Sequence, residues 1–350
     1  MMKNIKLMIM GFISSAFICF DGNAQDVHFS QFWNTPLLQN PSFAGKSKGA
    51  VRTMVNYRQQ WGSVTSNPFT TYGANLDMRL HTSSQGNHFA GGISMYTDLA
   101  GSSKMRTTLV NLSAAYHLKV SNQHFLSAGL QGGINQKAID ANELRFDNQF
   151  DGLGHNAGIN SNESLSSVSE IKPTFSAGIS YLWSNTFGQV SSRRVQERSI
   201  NVGFAVHHFN TPQFSLLHQE KLGLKYIANF EGTFTTSSSW IMSPRVLFAM
   251  QNKATDIVFG SMFMYPLAQG SQLTGFNKSS SIGFGAYYRL QDAIIPAVQI
   301  QWSTFSAGLS YDVNLSQLSG ASKNRGGFEI NLKYISSSSQ LSRQSRARFF

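Results

Sequence analysis

Apolar and polar residues alternate strictly in several segments of about ten residues, and this pattern limits the fold of the chain more than any other feature. The segment 328–334, Phe-Glu-Ile-Asn-Leu-Lys-Tyr, shows the pattern most plainly, and segments 175–183, 200–206 and 222–230 repeat it. Successive side chains of a β-strand point to opposite faces. Each segment therefore predicts a strand with one apolar face and one face of Gly, Ser, Asn and charged residues.

Such alternation occurs both in a soluble β-sandwich and in a membrane barrel, which differ in the face that is buried. Three observations favour the barrel. The strands are about nine to eleven residues or longer, which matches the bilayer. Aromatic residues stand at strand ends, as interface girdles require: Tyr57, Trp61, Trp183, Trp240, Tyr265 and Trp302. The polar faces combine very small residues with charge, which would make a poor dry core. The predicted fold class is all-β, a transmembrane antiparallel β-barrel.

About fourteen strands are predicted, and an even number is usual in bacterial outer-membrane barrels. They begin near Ala50, Phe69, His88, Arg106, His124, Pro173, Ser199, Lys221, Trp240, Thr255, Ser279, Ala293, Thr304 and Gly326. The barrel domain is thus predicted at residues 50–335, with both of its ends on the periplasmic side. Pro244 and Pro296 lie inside two of these strands and weaken their assignment. Gln136–Lys172 is the longest connection, and we expect it to make contacts at the cell surface.

The first residues have the features of an export signal. Two lysines precede the apolar run Leu7–Phe20, and small residues stand just before Gln25. The run is too short to cross a bilayer, so residues 1–24 are predicted to be a cleaved signal peptide. The single cysteine, Cys19, would leave with it, and the mature chain could then form no disulfide.

The next segment, residues 25–49, is apolar but has neither helical nor strand periodicity. Its Thr35-Pro36 and Asn40-Pro41 steps remove backbone donors and favour extended conformations. Irregular backbone at membrane depth is tolerated only where protein surrounds it. We therefore predict a plug-like segment in or at the lumen, with Phe29, Trp33 and Leu37 packed on the inner wall. A periplasmic flap below the barrel is the alternative.

Several charged residues have the parity of the inward face. They include Arg52 and Arg58 in the first strand, Asp77 in the second and Glu329 in the last. Lysine or arginine on the lipid face would cost about 2–4 kcal/mol near the midplane, and closure brings the last strand beside the first. The four residues are predicted to form a lumenal ion-pair network that braces the wall. A role in gripping a substrate is the alternative.

The formal net charge of +11 does not identify a nucleic-acid partner, because export excludes one and the basic residues are scattered. A basic tail is predicted at residues 336–350. No HExxH, CxxC or P-loop sequence is present, and His207 and His208 are predicted to point to opposite faces of one strand. No catalytic residue, cofactor or metal is therefore predicted. A Ser–His hydrolase with scattered residues stays open.

Five stretches of the sequence resemble one known family. FSQFWNTPLLQNPSFAG, residues 29–45, is similar to the "FSQ…NP…NPA.AG" opening of the PorP/SprF proteins. NYRQQW at 56–61, NPFTTYGANLD at 67–77, GGISMYTDLAG at 91–101 and SYDVNLSQLSGASKNRGGFEINLKY at 310–334 follow in the family's order. Ser42 departs from the pattern, because the family prefers Ala there.

The resemblance implies an outer-membrane barrel of Bacteroidota that works with the type IX secretion system, which serves protein secretion and gliding motility. It implies a role in exporting or holding at the surface an adhesin with a C-terminal sorting domain. The implied partners are this adhesin, outer-membrane lipid and, for some members, the periplasmic ring of the secretion machinery. An alternative from another class is an outer-membrane transporter or pore for a small solute, which a continuous plug would argue against.

Overall fold

A computed structural model describes most of the chain. The described residues are 26–47, 49–62, 64–65, 67–83, 86–101, 105–140, 144, 146–156, 158–160, 169–185, 196–215, 219–236, 240–268, 279–316 and 322–336. The predicted signal peptide, residues 1–24, and all of the predicted tail except Ser336 lie outside them.

The described residues form sixteen strands, almost all of them long. In chain order these are β1 Val51–Gln60, β2 Phe69–Thr82, β3 His88–Ala100, β4 Met105–Lys119, β5 His124–Ala138, β6 Ser169–Ser184, β7 Arg198–His207, β8 Gln213–Phe214, β9 Glu220–Lys221, β10 Lys225–Thr235, β11 Ile241–Gln251, β12 Ala254–Ala268, β13 Ser280–Arg289, β14 Ala293–Trp302, β15 Phe305–Asn314 and β16 Arg325–Ile335. Strands β8 and β9 form a separate two-stranded sheet.

The other fourteen strands form one closed antiparallel barrel, which confirms the predicted fold class. Each strand pairs with its neighbour in the sequence, and β1 closes the barrel by pairing with β16. In this closing pair Arg52 lies opposite Ile335 and Arg58 lies opposite Glu329. We call the end where β1 begins and β16 ends the lower end, and the opposite end the upper end. Among the described residues, no helix is both long and apolar enough to cross a membrane.

The sequence located the strands closely. Twelve of the fourteen begin within one residue of the predicted position, whereas β6 begins four residues earlier, at Ser169, and β10 four residues later, at Lys225. Pro244 and Pro296 both lie in strands, as predicted. Each interrupts the ladder on one side only. Pro244 pairs with Ser261 of β12, while the register toward β10 is interrupted between the Glu231–Arg245 and Phe234–Met242 pairs.

The two faces of the barrel wall differ as the alternation predicts. In β16 Ile330 and Leu332 are exposed on the outside, whereas Glu329 and Asn331 are buried on the inside. Aromatic pairs lie on the outside near both ends. Trp240 with Tyr265 and Phe305 with Tyr334 are near the lower end, each with ring centroids 5.0 Å apart, and Tyr57 with Tyr72 and Phe259 with Tyr288 are toward the upper end. This placement suits an interface girdle.

Candidate functional site

The lumen is occupied by residues 26–47, which we call the plug. Its short elements are a 3-10 turn at Phe32–Asn34, helix α1 at Pro36–Gln39 and a second 3-10 turn at Pro41–Phe43. A further 3-10 turn, Asp147–Gln149, belongs to the connection between β5 and β6. The plug crosses the barrel lengthwise. Asp26 contacts residues at the upper ends of β7 and β10, and Gly45 contacts β2 near its lower end.

The three side chains predicted to anchor the plug all lie against the inner wall. Phe29 packs with Tyr96 and Leu109 on β3 and β4. Trp33 stacks on Tyr287 of β13, with ring centroids 4.4 Å apart and an angle of 24° between the rings. Leu37 is fully buried and packs with three alanines, Ala44, Ala90 and Ala115. Their contacts are spread over different strands, so they fix the plug at several points around the wall.

A buried polar cluster surrounds Ser30 in the upper half of the barrel. The Ser30 hydroxyl lies 2.6 Å and 2.8 Å from the two carboxylate oxygens of Asp312. Arg58 and Arg289 donate to the same carboxylate over 2.9 Å and 3.1 Å. The backbone N–H groups of Ser30 and Gln31 donate to Glu329 over 2.6 Å and 3.2 Å. Charged wall groups thus use the plug backbone and hydroxyl as hydrogen-bond partners.

The four residues predicted as one lumenal network form two separate groups. Arg52 pairs with Asp77 over 2.8 Å near the lower end. Arg58 pairs with Asp312, and Glu329, its register partner, binds the plug backbone. The prediction placed no plug atoms among these charges. Asp312 and Arg289 both have inward parity in their strands, Arg289 sharing that of the buried Tyr287, but neither was included in the predicted network.

The lower part of the plug is held through its backbone. The Gly45 N–H donates to Asp77 over 2.7 Å, and the Arg79 Nε donates to the Gly45 carbonyl over 3.0 Å. Gly45 has a φ of +68°, and a Cβ there would come within 2.3 Å of the Ala90 Cβ. Both the backbone conformation and the close approach to the wall therefore require glycine.

The Asn40-Pro41 step lies against a part of the wall that is made of glycine. A Cβ on Gly178 would come within 2.1 Å of the Asn40 Oδ1, and one on Gly129 within 2.5 Å of the Pro41 carbonyl carbon. The Asn40 amide donates to the wall carbonyls of Ile179 and Phe204 over 3.0 Å and 3.2 Å. The irregular sequence motif therefore matches a flat surface on β5 and β6 that only glycines leave open.

Two Ser–His pairs on the wall hold plug carbonyls. The His117 Nε2 lies 2.6 Å from the Ala44 carbonyl oxygen, and the His117 Nδ1 lies 2.7 Å from the Ser127 hydroxyl oxygen. His207 lies 3.0 Å from the Gln39 carbonyl and 3.1 Å from Ser176. A carbonyl only accepts, so each Nε2 donates to the plug and each Nδ1 accepts from the serine. Both serines are buried beneath the plug, and the geometry serves to hold it.

The expectation that His207 and His208 point to opposite faces is wrong. Strand β7 ends at His207, and His208 has a φ of +57°, so alternation no longer applies to it. Both side chains lie inside the barrel, and His208 contacts Asp26 over 2.8 Å. Burial alone would raise the pKa of Asp26, but Lys225 and His208 reverse this and hold it below its usual value. The first described plug residue is thus an ionised anchor.

Within the described ranges no group of three or more His, Cys, Asp or Glu residues is placed to hold a metal ion.

The long connection predicted to make surface contacts, 136–172, is described only in part. Inside it, Asp151 accepts from the N–H groups of Leu153 and Gly154, and these hydrogen bonds lower its pKa.

Several solved membrane barrels align with the chain at low identity. A TodX monoaromatic hydrocarbon channel mutant aligns at 8% identity over 86% of this chain and 93% of its own, with a TM-score of 0.44. BamA from Haemophilus ducreyi aligns at 10% identity over 82% and 70%, with a TM-score of 0.39. OprB of Pseudomonas putida aligns at 8% identity over 85% and 94%, with a TM-score of 0.36. A comparison with curated proteins gave no match.

One family covers nearly all of the chain. The family described as type IX secretion system membrane protein PorP/SprF matches residues 21–334, a range that includes the plug and every strand of the barrel except the last residue of β16. This match confirms the resemblance seen in the five sequence stretches. The family and the outer-membrane type of barrel together point to the outer membrane. The chain belongs to the PorP/SprF family of type IX secretion system membrane proteins.

Proposed function

We propose that this chain is a non-catalytic accessory of type IX secretion in the outer membrane of a Bacteroidota cell. In this role it exports, or holds at the cell surface, an adhesin that carries a C-terminal sorting domain. Residues 1–24 direct its export. The adhesin and outer-membrane lipid are its partners, and the periplasmic ring of the secretion machinery is a second candidate partner.

The filled lumen is the observation that carries this proposal. The plug is bonded to the wall along its whole length, from Asp26 at the upper end to Gly45 near the lower end. Such a barrel does not offer a free path to a folded protein or to a diffusing solute. A family member of this shape is better suited to present surfaces to partner proteins than to conduct a protein or a solute through its lumen. The solute transporter or pore is the competing function.

Deletion of the gene, followed by quantification of surface and medium proteins, tests the proposal. We expect one adhesin with a C-terminal sorting domain to disappear from the surface, and the wild-type gene to restore it. A deletion that leaves every surface protein in place but changes uptake of a small solute would overturn the proposal in favour of the transporter. Affinity purification of the tagged barrel then separates the two candidate partners, because an adhesin and ring components are identified by different peptides.

A further inference from the structure

A cavity of about 160 Å³ lies beside the plug in the lower half of the barrel. Strands β1, β10, β11 and β16 form its outer wall, and the plug forms its inner wall. One water molecule needs roughly 10–15 Å³ measured in this way, so the cavity has room for a small organic group. Lys46 and Ile335 at its lower margin are partly exposed, so the cavity lies close to solvent at that end.

The charged residues that line this cavity are mostly cationic. They are Lys46 on the plug, Arg52 on β1, Glu231 on β10, Arg245 on β11 and Lys333 on β16. The two arginines have carboxylate partners. Arg52 pairs with Asp77, and Arg245 pairs with Glu231 over 3.0 Å.

The two lysines are not matched in this way. The Lys46 Nζ lies 4.4 Å from the centre of the Phe43 ring, and the Lys333 Nζ lies 3.4 Å from the Asn34 Oδ1. Among the described residues, neither ammonium forms an ion pair with a carboxylate. An ammonium has three donors, and a charge that is removed from water without a partner is costly. The cavity therefore carries an excess of positive charge.

A third hydrogen-bond donor lines the same cavity. The indole N–H of Trp33 is buried and has no acceptor among the described residues. Buried indole N–H groups usually have an acceptor. This donor and the two ammonium groups come from separate parts of the chain. The indole lacks an acceptor, and both ammonium groups share with Arg245 the one carboxylate among the lining residues, that of Glu231.

We propose that the cavity is a binding site for a carboxylate on an apolar body, with Lys46, Lys333 and the Trp33 N–H as its donors. The carboxylate neutralises the excess charge and accepts from the indole. The apolar body packs on the cavity's apolar wall, which includes Phe32, Met54 and Ile335. Such a group occurs both in a free organic acid and at the C-terminus of an apolar peptide. The site is independent of whether the barrel serves secretion.

The test is isothermal titration of the full mature chain in nanodiscs of uncharged lipid. The free acid probe is 4-phenylbutyrate, and its neutral control is 4-phenylbutanamide. The peptide probe is acetyl-Leu-Val-Phe with a free C-terminus, and its control is the same peptide with a C-terminal amide. Inorganic phosphate tests for simple attraction of anions. We expect at least one carboxylate probe to bind, with its amide counterpart at least tenfold weaker.

Lysine variants test the assigned donors. Lys333→Gln and Lys46→Gln should each weaken carboxylate binding about tenfold, while Lys333→Arg should keep most of it. Lys253→Gln removes the same charge from an exposed turn at the upper end and should change nothing. Lys46 belongs to the plug and Lys333 to the wall, so a folding defect in one variant leaves the other informative. Equal binding of acids and amides, binding of phosphate alone, no binding of any probe, or unchanged affinity in both glutamine variants would overturn the proposal.

Discussion

The cluster around Ser30 gives a direct test of how the wall holds the plug. Asp312→Asn keeps the shape of the side chain but removes a charge that Arg58 and Arg289 share, and all three side chains are buried. Removing one partner of a buried ion pair costs about 3–5 kcal/mol. In the variant, Arg289 still has two carboxylate partners, Asp256 at 3.7 Å and Asp292 at 3.1 Å. We therefore expect Asp312→Asn to lower the free energy of unfolding by the lower end of that range, about 3 kcal/mol.

The plug side of the same cluster is tested by Ser30→Ala. The Ser30 hydroxyl donates to Asp312 and accepts from Arg289 over 3.0 Å. Hydrogen bonds to charged groups contribute about 1.5–3 kcal/mol to stability, so we expect Ser30→Ala to lower the free energy of unfolding by about 2 kcal/mol. Because the two residues share one network, the double variant should lose less than the sum of the single losses, with a coupling of about 1 kcal/mol or more.

The assay is equilibrium unfolding in urea of the barrel reconstituted in lipid vesicles, followed by tryptophan fluorescence. Trypsin and chymotrypsin digestion of the intact vesicles reports separately on release of the plug. Asp151→Asn makes the same chemical change in an exposed loop and is expected to leave both measurements unchanged. A result in which Asp312→Asn behaves like this control, or in which the two losses are simply additive, would contradict a shared network that holds the plug.

The remaining predictions concern single positions. Gly45→Ala should loosen the lower plug and speed tryptic cleavage there. A non-glycine residue at a φ of +68° costs about 1–2 kcal/mol, and the new methyl group also collides with the wall. Gly152→Ala is the control, because Gly152 has a φ of +95° and nothing within 4 Å, so this variant carries the conformational cost without the collision. Arg58→Glu should lower barrel yield and heat resistance on gels, and unchanged values would contradict a role of this arginine in bracing the wall. Burial lowers the pKa of Lys46 to about 7, so carboxylate binding should be strongest below that pH and weaken above it as the ammonium loses its proton. Titrations across this range check it, and Lys46→Arg should remove the part of the pH dependence that is centred near pH 7.

The barrel could be predicted from the sequence because each of its strands is recognisable from its own residues alone. Each strand needs only alternation, and lipid on one side makes that alternation strict. The two larger errors have local causes: Pro173 disturbs the alternation at the start of β6, and Lys221, the predicted start of β10, belongs to β9 and pairs with Gln213 of β8. The plug was recognisable for the opposite reason, because an apolar segment without periodicity has few places to be buried.

The contacts inside the lumen could not be predicted in the same way. Alternation places Arg58 and Glu329 on the inward face, but it does not reveal which plug atoms they meet. The length and path of the plug decide that, and residues such as Asn40 and Pro41 follow no period. His208 shows the limit most clearly, since a single residue with positive φ at the end of a strand returns its side chain to the lumen.

The lengthwise path of the plug has a consequence for how the protein is assembled. Strands β1 and β16 form the seam of the barrel, yet they are far apart in the sequence. Across this seam Arg58 and Glu329 both bind plug backbone, at His28 and at Ser30 and Gln31. The bulky side chains of the plug and the tight glycine surface beneath it do not suit insertion into a finished cylinder. We therefore expect the plug to act as a template on which the last strand closes, so that the plug is in place before β1 and β16 pair.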